Sequence, residues 1–388
     1  MPKWKAILSG LFGAPGTPTK VDTLLDRDRN NLDVVRLFAA LGVIFGHSYA
    51  LFSNAAGYRE PFAALTKFDN LGGLSVTLFF FISGFLIPAS FVNSKSPFRY
   101  ALMRVARLWP AATACMAVAA FVIGPWVSTL SRADYFASPM PWGYFRDGIR
   151  LYLTPIYLPG VFEHNQYPRV VNGSIWSLPL ELTCYCYVFV LGLVGAFSSR
   201  ARTNLLCLIL IVIHFTFPQK LFYFVTDDDS TIRLAAAFLT GTFFYANRKV
   251  IPVDWRALPI LFAAWWMSRA TPLSMYLFYL FWFYAAVVAA CSRSIKAAVR
   301  LPGDYSYGVY LYGFLTQQTL NHFYPKLPVF TGMLLSMAMA LLLGGLSYHL
   351  LEHPVMGGLV GWFVWEPVGM NEAHRCWTLW DLSPRRGP

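Results

Sequence analysis

The sequence has few charged side chains. Aspartate, glutamate, lysine and arginine make up 13% of the 388 residues, whereas hydrophobic residues make up 56%. A soluble globular protein carries about 25% charged residues, so this chain has too little polar surface to cover a water-soluble fold. Its mean hydropathy is +0.48, and the apolar residues lie in long blocks. Because lipid cannot hydrogen-bond to exposed backbone groups, such blocks are expected to form membrane helices.

Metal-binding and targeting signals are also missing. The six cysteines show no CxxC or His/Cys spacing, so we expect them to be small core residues and predict no metal site. The first residues hold too short an apolar stretch for a cleavable signal peptide. The 31 basic residues outnumber the 19 acidic ones, which in a soluble protein would suggest nucleic acid. In a membrane protein, basic loops that fix topology explain this excess, and no nucleic-acid partner is expected.

The apolar blocks predict an all-α polytopic membrane protein with about ten transmembrane helices. Every loop that alternation places on the cytoplasmic side is basic, which predicts that both termini are cytoplasmic. We divide the chain into a cytoplasmic tail at 1–33, a transmembrane domain at 34–353 and a cytoplasmic tail at 354–388. Residues 128–173 form an aromatic cap on the extracytoplasmic face in this interpretation. The predicted spans are 34–53, 71–91, 105–127, 174–196, 204–219, 231–247, 257–272, 274–292, 304–323 and 328–351.

An arginine and a histidine share one face of the first predicted span. Arg36 and His47 are 11 residues apart, which at 100° per residue is three turns plus about 20°, with a rise of about 16 Å. Arg36 would then lie at the cytoplasmic boundary and His47 beyond the bilayer midplane. This stripe suits a long donor with an anionic head, such as coenzyme A. An alternative explains the spacing equally well: His47 packs against a neighbouring helix, and Arg36 only anchors the topology.

Glu181, in the predicted span 174–196, lies at a depth similar to that of His47. An unpaired carboxylate inside a membrane is costly. We therefore expect Glu181 to pair with His47, which would hold one imidazole tautomer and raise its basicity. The alternative is a structural role, in which Glu181 bonds to Ser177 or to a backbone group freed by Pro179.

A basic segment follows the second predicted span, on the same side as Arg36. Arg104 and Arg107 are three residues apart and share a helix face, and arginine binds phosphate through two parallel hydrogen bonds. A loop that only fixes topology is the stronger interpretation on composition alone. Two other segments carry weaker signals: small residues such as Ser83 and Gly84 usually allow close helix packing, and tyrosines at span ends usually lie at the membrane interface.

Six segments, in this order, resemble the membrane acyltransferase-3 family of bacterial O-acyltransferases. They are RLFAALGVIFGHS with its Arg-x10-His spacing, LFFFISGFLI, RYALMRVARLWP, NGSIWSLPLELTCY, GDYSYGVYLYGF and SYHLLEHP. The resemblance covers about residues 30–356. It implies about ten helices, an acyl-CoA donor that is often acetyl-CoA, and an acceptor that is typically a sugar hydroxyl of a surface or lipid-linked glycan.

The resemblance also assigns roles to residues. It places the key arginine and histidine of the family on Arg36 and His47, and the basic pair on Arg104 and Arg107. The Trp/Glu segment of the family falls on Trp176 and Glu181. One departure is Gly313, where many members have a histidine after the tyrosine.

Together these observations predict a multi-pass O-acyltransferase of the bacterial inner membrane. It would move an acyl group from cytoplasmic acyl-CoA to a hydroxyl of an extracytoplasmic glycan or glycolipid, and acetyl is the expected acyl group. The expected partners are acyl-CoA, the glycan acceptor and the lipid bilayer, and no tightly bound cofactor is expected. The predicted catalytic residues are His47, as general base, and Glu181. The predicted acyl-CoA contacts are Arg36, Arg104, Arg107, Tyr307 and Tyr310, and the predicted acceptor contacts are Trp176, Ser177 and Ser83.

Two alternatives stay open. A secondary transporter or glycan flippase would also place His, Glu and Arg inside its spans, although no discontinuous helices in matching halves are evident. A regulatory membrane sensor is the second alternative, and the complete set of Arg36, His47 and Glu181 argues against it. The acceptor, the acyl chain, the oligomeric state and a transient acyl group on His47 are not determined by the sequence.

Overall fold

A computed structural model of the chain confirms the all-α class. Most of the described residues are helical, and the described residues form no β-strand, only three isolated bridges. The described residues are 19–52, 59–94, 96–151, 156–217, 220, 229–299 and 301–364. Most of the N-terminal tail and the end of the C-terminal tail lie outside them.

The main helices are numbered here in chain order. They are α1 (Leu32–Leu51), α2 (Leu71–Asn93), α3 (Pro97–Ala117), α4 (Met140–Ile149), α5 (Leu178–Leu193), α6 (Arg200–Thr216), α7 (Asp229–Ala246), α8 (Ala257–Met267), α9 (Ser274–Ala290), α10 (Ser306–Phe323), α11 (Val329–Ser347) and α12 (His353–Val364). Two π-helical segments, Val118–Ile123 after α3 and Tyr348–Glu352 between α11 and α12, continue these helices. Shorter helical turns are Val21–Leu25, Arg27–Arg29, Pro61–Thr66, Gly124–Val127, Arg132–Ala137, Gly173–Ser177 and Arg293–Ala298.

A helix lies at each of the ten predicted spans, but they differ in length and polarity. Five helices of the described part are long and apolar enough to cross a membrane, and α8 and α9 are apolar but shorter. The five are Leu32–Leu51, Leu71–Asn93, Pro97–Val127, Gly173–Leu193 and Val329–Gly358. The number of ten spans and the orientation of the termini therefore stay predictions.

Helix α10 is the centre of the bundle. Its residues from Ser306 to Asn321 are all buried, so it contacts protein on every side. Gln317 bonds α10 to α1 through its Nε2, which donates to Ile44 O at 2.9 Å and to Ser48 Oγ at 2.8 Å. Buried polar groups need such partners. The polar composition of α10 thus follows from its protein surroundings.

Helices α2 and α7 are in backbone contact. A Cβ added at Gly84 would overlap the carbonyl oxygen of Phe238, and one added at Gly241 would overlap the carbonyl oxygen of Phe81. Thr242 Oγ1 also donates to Gly84 O at 3.2 Å. Small residues at such crossings let helix backbones approach in membrane proteins. This close contact is the role that the sequence predicts for Gly84.

The described residues of the segment 128–173, which are 128–151 and 156–173, pack against the part of α10 that begins at Leu311. Asn165 Nδ2 donates to Gln318 O at 2.9 Å, and Asn172 Nδ2 donates to Leu311 O at 2.9 Å. Gln318 Nε2 in turn donates to Tyr167 O at 2.7 Å. These bonds fix the cap to the central helix. The cap and Gly173–Ser177 together lead the chain into α5.

Candidate active site

Asp304, which the sequence analysis missed, joins two of the predicted arginines. Its Oδ2 accepts a hydrogen bond from Arg36 Nη1 at 3.1 Å and from Arg107 Nη2 at 2.7 Å. The other oxygen, Oδ1, accepts from the backbone N–H of Ser306 at 3.1 Å and from the Ser306 hydroxyl. The start of α10 therefore holds one carboxylate between α1 and α3.

Glu352 completes this group. Its Oε2 accepts from Arg107 Nη1 at 2.8 Å, and its side chain is 2% exposed. We call Arg36, Arg107, Asp304 and Glu352 the ionic cluster. Two positive and two negative charges make it formally neutral. The sequence predicted Arg36 and Arg107 as phosphate contacts without these carboxylates, because the two acids lie far away along the chain.

Arg104 has different surroundings. Its Nη2 donates to Ser90 Oγ at 3.3 Å. Its guanidinium lies 5.8 Å from the ring centroid of Tyr100 and 5.6 Å from that of Tyr185, within the range of cation–π attraction. Arg107 similarly lies 5.2 Å from the ring centroid of Tyr307. Both members of the predicted basic pair thus lie beside aromatic rings inside the bundle, and Arg107 is held in addition by the ionic cluster.

Three neighbouring cavities contain the predicted site residues. The cluster cavity, of about 50 Å³, is lined among others by Arg27, Asp33, Arg36, Arg107, Asp304, Tyr348 and Glu352. The middle cavity, of about 60 Å³, is lined among others by Arg36, Ser83, Arg104, Arg107, Ser177, Glu181, Tyr185, Tyr307 and Tyr310. The histidine cavity, of about 210 Å³, is lined among others by Val43, His47, Asp69, Asn70, Trp176, Ser230, Arg233 and Tyr310.

Lining residues that two cavities have in common show that the three cavities adjoin in a row. Arg36 and Arg107 line both the cluster cavity and the middle cavity. Val76 and Tyr310 line both the middle cavity and the histidine cavity. The three cavities therefore follow one another along α1, from Arg36 towards His47. All ten residues predicted from the sequence line one or more of them.

His47 does not form the predicted pair with Glu181. Its Nδ1 is buried and has no hydrogen-bond partner among the described residues, and its ring meets the Phe314 ring edge-on at 5.1 Å. Glu181 lines the middle cavity, and its Oε1 accepts a hydrogen bond from Tyr185 Oη. Tyr185 is four residues further along the same helix, where side chains meet. That spacing was the local signal for the actual partner.

Tyr310 has a fixed position between two cavities. Its hydroxyl donates to Ser174 O at 2.6 Å and lies 2.7 Å from Ser177 Oγ. A tyrosine hydroxyl has one proton, so Ser177 is the donor in the second bond. Tyr307 Oη donates to Leu108 O at 3.0 Å. Both tyrosines thus orient their rings through backbone carbonyls of neighbouring elements.

The histidine cavity contains two charged residues that the sequence analysis missed. Asp69 Oδ2 accepts from Tyr279 Oη at 3.1 Å and lies 4.0 Å from Arg233 Nε. Burial raises the pKa of the Asp69 carboxyl, although the positive charge of Arg233 acts in the opposite direction. No local pattern in the sequence connects these residues to His47.

Comparison with known proteins supplies the family. A family model described as an acyltransferase domain matches residues 29–349. The chain belongs to the acyltransferase-3 family. Its apolar helices agree with the membrane character of that family. The segments that carried the resemblance in the sequence surround the three cavities of this acyltransferase.

Two curated relatives are similar over most of the chain. An O-acetyl transferase of Shigella phage Sf6 is 28% identical over 345 residues, which is 83% of this chain and 95% of the relative. Nodulation protein 10 of Rhizobium leguminosarum bv. viciae is 27% identical over 327 residues, which is 75% of this chain and 84% of the relative. No solved structure matches this acyltransferase.

Proposed function

We propose that this acyltransferase moves an acyl group from acyl-CoA to a hydroxyl of an extracytoplasmic glycan or glycolipid. Acetyl is the acyl group that we propose. The observation that supports this most is the row of three cavities, which links the arginines of the ionic cluster to His47. A donor with an anionic head and a long arm fits such a row. The similarity to a protein named O-acetyl transferase supports the type of reaction.

The donor enters from the end of the bundle that holds the ionic cluster. Cavities of about 50 and 60 Å³ are too small for a nucleotide, since pockets for drug-sized ligands measure about 300–1,000 Å³. The nucleotide therefore stays at the mouth, and the acylated arm passes along the middle cavity. An arginine has five N–H groups, and the ion pair with Asp304 uses one of Arg36. The carboxylates hold the guanidinium in place before a phosphate arrives, which is preorganisation.

The acceptor enters the histidine cavity, and His47 acts as general base. The imidazole takes the proton of the acceptor hydroxyl while its oxygen attacks the thioester carbonyl carbon. The new C–O bond forms, the C–S bond breaks, and the imidazolium returns the proton to the departing thiolate, which leaves as CoA thiol. General-base help of this kind contributes about 10²–10⁴-fold. Glu181 acts on the donor side, where it positions Tyr185.

The proposal includes a membrane topology. All ten predicted spans cross the bacterial inner membrane, both termini are cytoplasmic, and the cap 128–173 is extracytoplasmic. The basic loops support this orientation. The burial of α10 supports its inclusion as a span, because a helix enclosed by protein can be polar within a membrane.

Purified protein in detergent tests the proposal. We expect wild type to bind acetyl-CoA, to hydrolyse it slowly without acceptor and to acetylate an envelope glycan fraction. His47→Ala should lower transfer by about 10²–10⁴-fold while it still inserts and folds. The matched control is His214→Ala on α6, because that histidine also has a buried Nδ1 without a hydrogen-bond partner among the described residues but lines none of the three cavities.

Two outcomes would contradict the proposal. If His47→Ala esterifies the glycan at the wild-type rate, His47 is not the base. If wild type moves glycan across vesicles without binding or turning over acetyl-CoA, the protein is a transporter.

A further inference from the structure

The histidine cavity holds an ion pair that stability does not explain. Asp69 is on the turn before α2 and Arg233 is on α7, and their side chains are 9% and 22% exposed. Arg233 Nε and Asp69 Oδ2 are 4.0 Å apart, which is too long for a hydrogen bond. A loosely spaced and largely buried ion pair costs more in desolvation than it returns in attraction. Such a pair is better explained by a ligand that completes its hydrogen bonds.

Both members of the pair are held in place by neighbours. The Asp69 carboxylate accepts from Tyr279 Oη at 3.1 Å and from the backbone N–H of Asn70 at 2.9 Å. Arg233 donates to Ser230 Oγ at 3.2 Å and to Phe68 O at 3.3 Å. Three elements of the fold, α7, α9 and the turn before α2, therefore fix one acceptor group and one donor group at the wall of the cavity.

The space between the Asp69 carboxylate and the Arg233 guanidinium suits a hydroxyl group. A hydroxyl both donates and accepts, so it can donate to Asp69 and accept from Arg233 at the same time. Alternatively, two neighbouring hydroxyls on one ring can form these hydrogen bonds, one to Asp69 and the other to Arg233. Trp176 lines the same cavity, and the negative face of an indole attracts the C–H edge of a sugar ring. His47, on α1, lines the same cavity.

The size of the cavity limits the ligand. Its volume is about 210 Å³, below the range of about 300–1,000 Å³ for pockets that enclose drug-sized ligands. One sugar ring fits such a space, whereas an oligosaccharide does not. The rest of an extended acceptor would then lie outside the cavity.

We propose that Asp69 and Arg233 bind the hydroxyl groups of a single pyranose ring of the acceptor and thereby select the hydroxyl that reaches His47. This inference rests on the proposed function, because it places the acceptor in the same site. It adds a specificity pair that the sequence motifs do not indicate.

Kinetics with methyl pyranosides test the inference. Purified wild type, Asp69→Asn and Arg233→Gln are given acetyl-CoA and a panel of neutral methyl hexopyranosides, and the ester products are separated by position with mass spectrometry and NMR. We expect wild type to acetylate at least one glycoside at one preferred position. Each variant should raise KM for that glycoside by about 10- to 100-fold, the loss expected for one hydrogen bond to a charged group. KM for acetyl-CoA should change by less than about twofold.

Arg269→Gln is the matched control. Arg269 follows α8, donates to Leu65 O at 3.3 Å and lies 4.3 Å from the Trp266 ring centroid, and it lines none of the three cavities. This variant removes the same charge and should keep the wild-type KM for both substrates. Thermal unfolding of all variants in detergent separates a binding defect from a folding defect.

Several outcomes would overturn the inference. They are a wild-type glycoside KM and product pattern in both variants, a parallel rise of KM for acetyl-CoA, or an active wild type that acetylates none of the glycosides. A wild type that neither binds nor hydrolyses acetyl-CoA would instead overturn the proposed function, and the specificity pair with it.

Discussion

Asp304 and Arg107 form an ion pair with 2.7 Å between Oδ2 and Nη2, although Arg107 is on α3 and Asp304 is in the loop just before α10, 197 residues away in sequence. The same carboxylate also holds Arg36, so it fixes α1 to α3 at the start of α10. The predicted basic residues are therefore set in a neutral cluster before any donor binds. This changes the expected role of Arg36 and Arg107 from free phosphate contacts to preorganised ones.

Replacement of Asp304 by asparagine should destabilise the protein. Asp304→Asn keeps the shape of the side chain but leaves the two guanidiniums with Glu352 as their only carboxylate in the ionic cluster. Removal of one member of a buried ion pair costs about 3–5 kcal/mol. We expect a clear fall in the melting temperature, measured by thermal unfolding in detergent.

Asp147→Asn is the control for this substitution. Asp147 pairs with Arg146 at 3.0 Å on α4, but the side chains are 25% and 64% exposed, respectively. Exposed ion pairs contribute little, so the melting temperature should not change. Equal melting temperatures for Asp304→Asn and wild type would mean that the ionic cluster does not stabilise the fold.

Replacement of Arg104 by glutamine should weaken donor binding. Arg104 lines the middle cavity beside Tyr185, and loss of a hydrogen bond to a charged group raises KM by about 10- to 100-fold. Steady-state kinetics with varied acetyl-CoA measure this effect. Arg99→Gln on the same helix is the control, because Arg99 lines none of the three cavities. If both variants change KM equally or not at all, the basic segment serves only topology.

Local geometry was predictable from the sequence, and distant pairing was not. The shared face of Arg36 and His47 follows from the helical repeat, and both residues line the row of cavities. Nothing near Arg36 in sequence indicates Asp304, which is 268 residues away. The pairing of Glu181 with Tyr185 is local, so the i, i+4 spacing could have revealed it. The sequence analysis considered only His47 as the side-chain partner from another helix, although pairing with Tyr185 is simpler because it is local.

Hydropathy does not identify every transmembrane span, because it does not register contacts between distant parts of the chain. It measures how well a helix suits lipid, and α10 is enclosed by protein. Gln317, Gln318 and Asn321 on α10 are buried and polar, and this cluster in an otherwise apolar chain was the available signal for a central helix. The acceptor side of the site could not be found in this way, because Asp69 and Arg233 come from separate elements with unremarkable local sequence.

Replacement of Gly84 by alanine should separate α2 from α7. A Cβ at Gly84 would overlap Phe238 O, and forced extra atoms in a packed interior cost about 1–3 kcal/mol. The melting temperature should fall. Gly345→Ala on α11 is the control, because a Cβ there meets no atom within 4 Å among the described residues. That variant should melt at or above the wild-type temperature, since alanine favours a helix by up to about 1 kcal/mol. Equal melting temperatures would exclude a tight crossing at Gly84.

Replacement of Glu181 by glutamine tests which residue this carboxylate serves. If Glu181 oriented His47 and raised its basicity, Glu181→Gln would move the acidic limb of the pH–rate profile to lower pH, because that limb reports protonation of the base. The hydrogen bond between Tyr185 and Glu181 predicts a different result. We expect kcat/KM to fall by about 2- to 10-fold, because the amide oxygen of glutamine still accepts from Tyr185 but in a weaker, uncharged hydrogen bond. The acidic limb should stay at the same pH.

Tyr185→Phe removes this hydrogen bond completely and is the matched variant for Glu181→Gln, which only weakens it. It should lose at least as much kcat/KM as Glu181→Gln, and the double variant should lose no more than Tyr185→Phe alone, because the shared hydrogen bond is already absent there. Additive losses would mean that Glu181 and Tyr185 act separately. A displaced acidic limb in Glu181→Gln alone would restore the direct link between Glu181 and His47, which would then have to form when the substrates bind, since the two side chains line different cavities in the free protein.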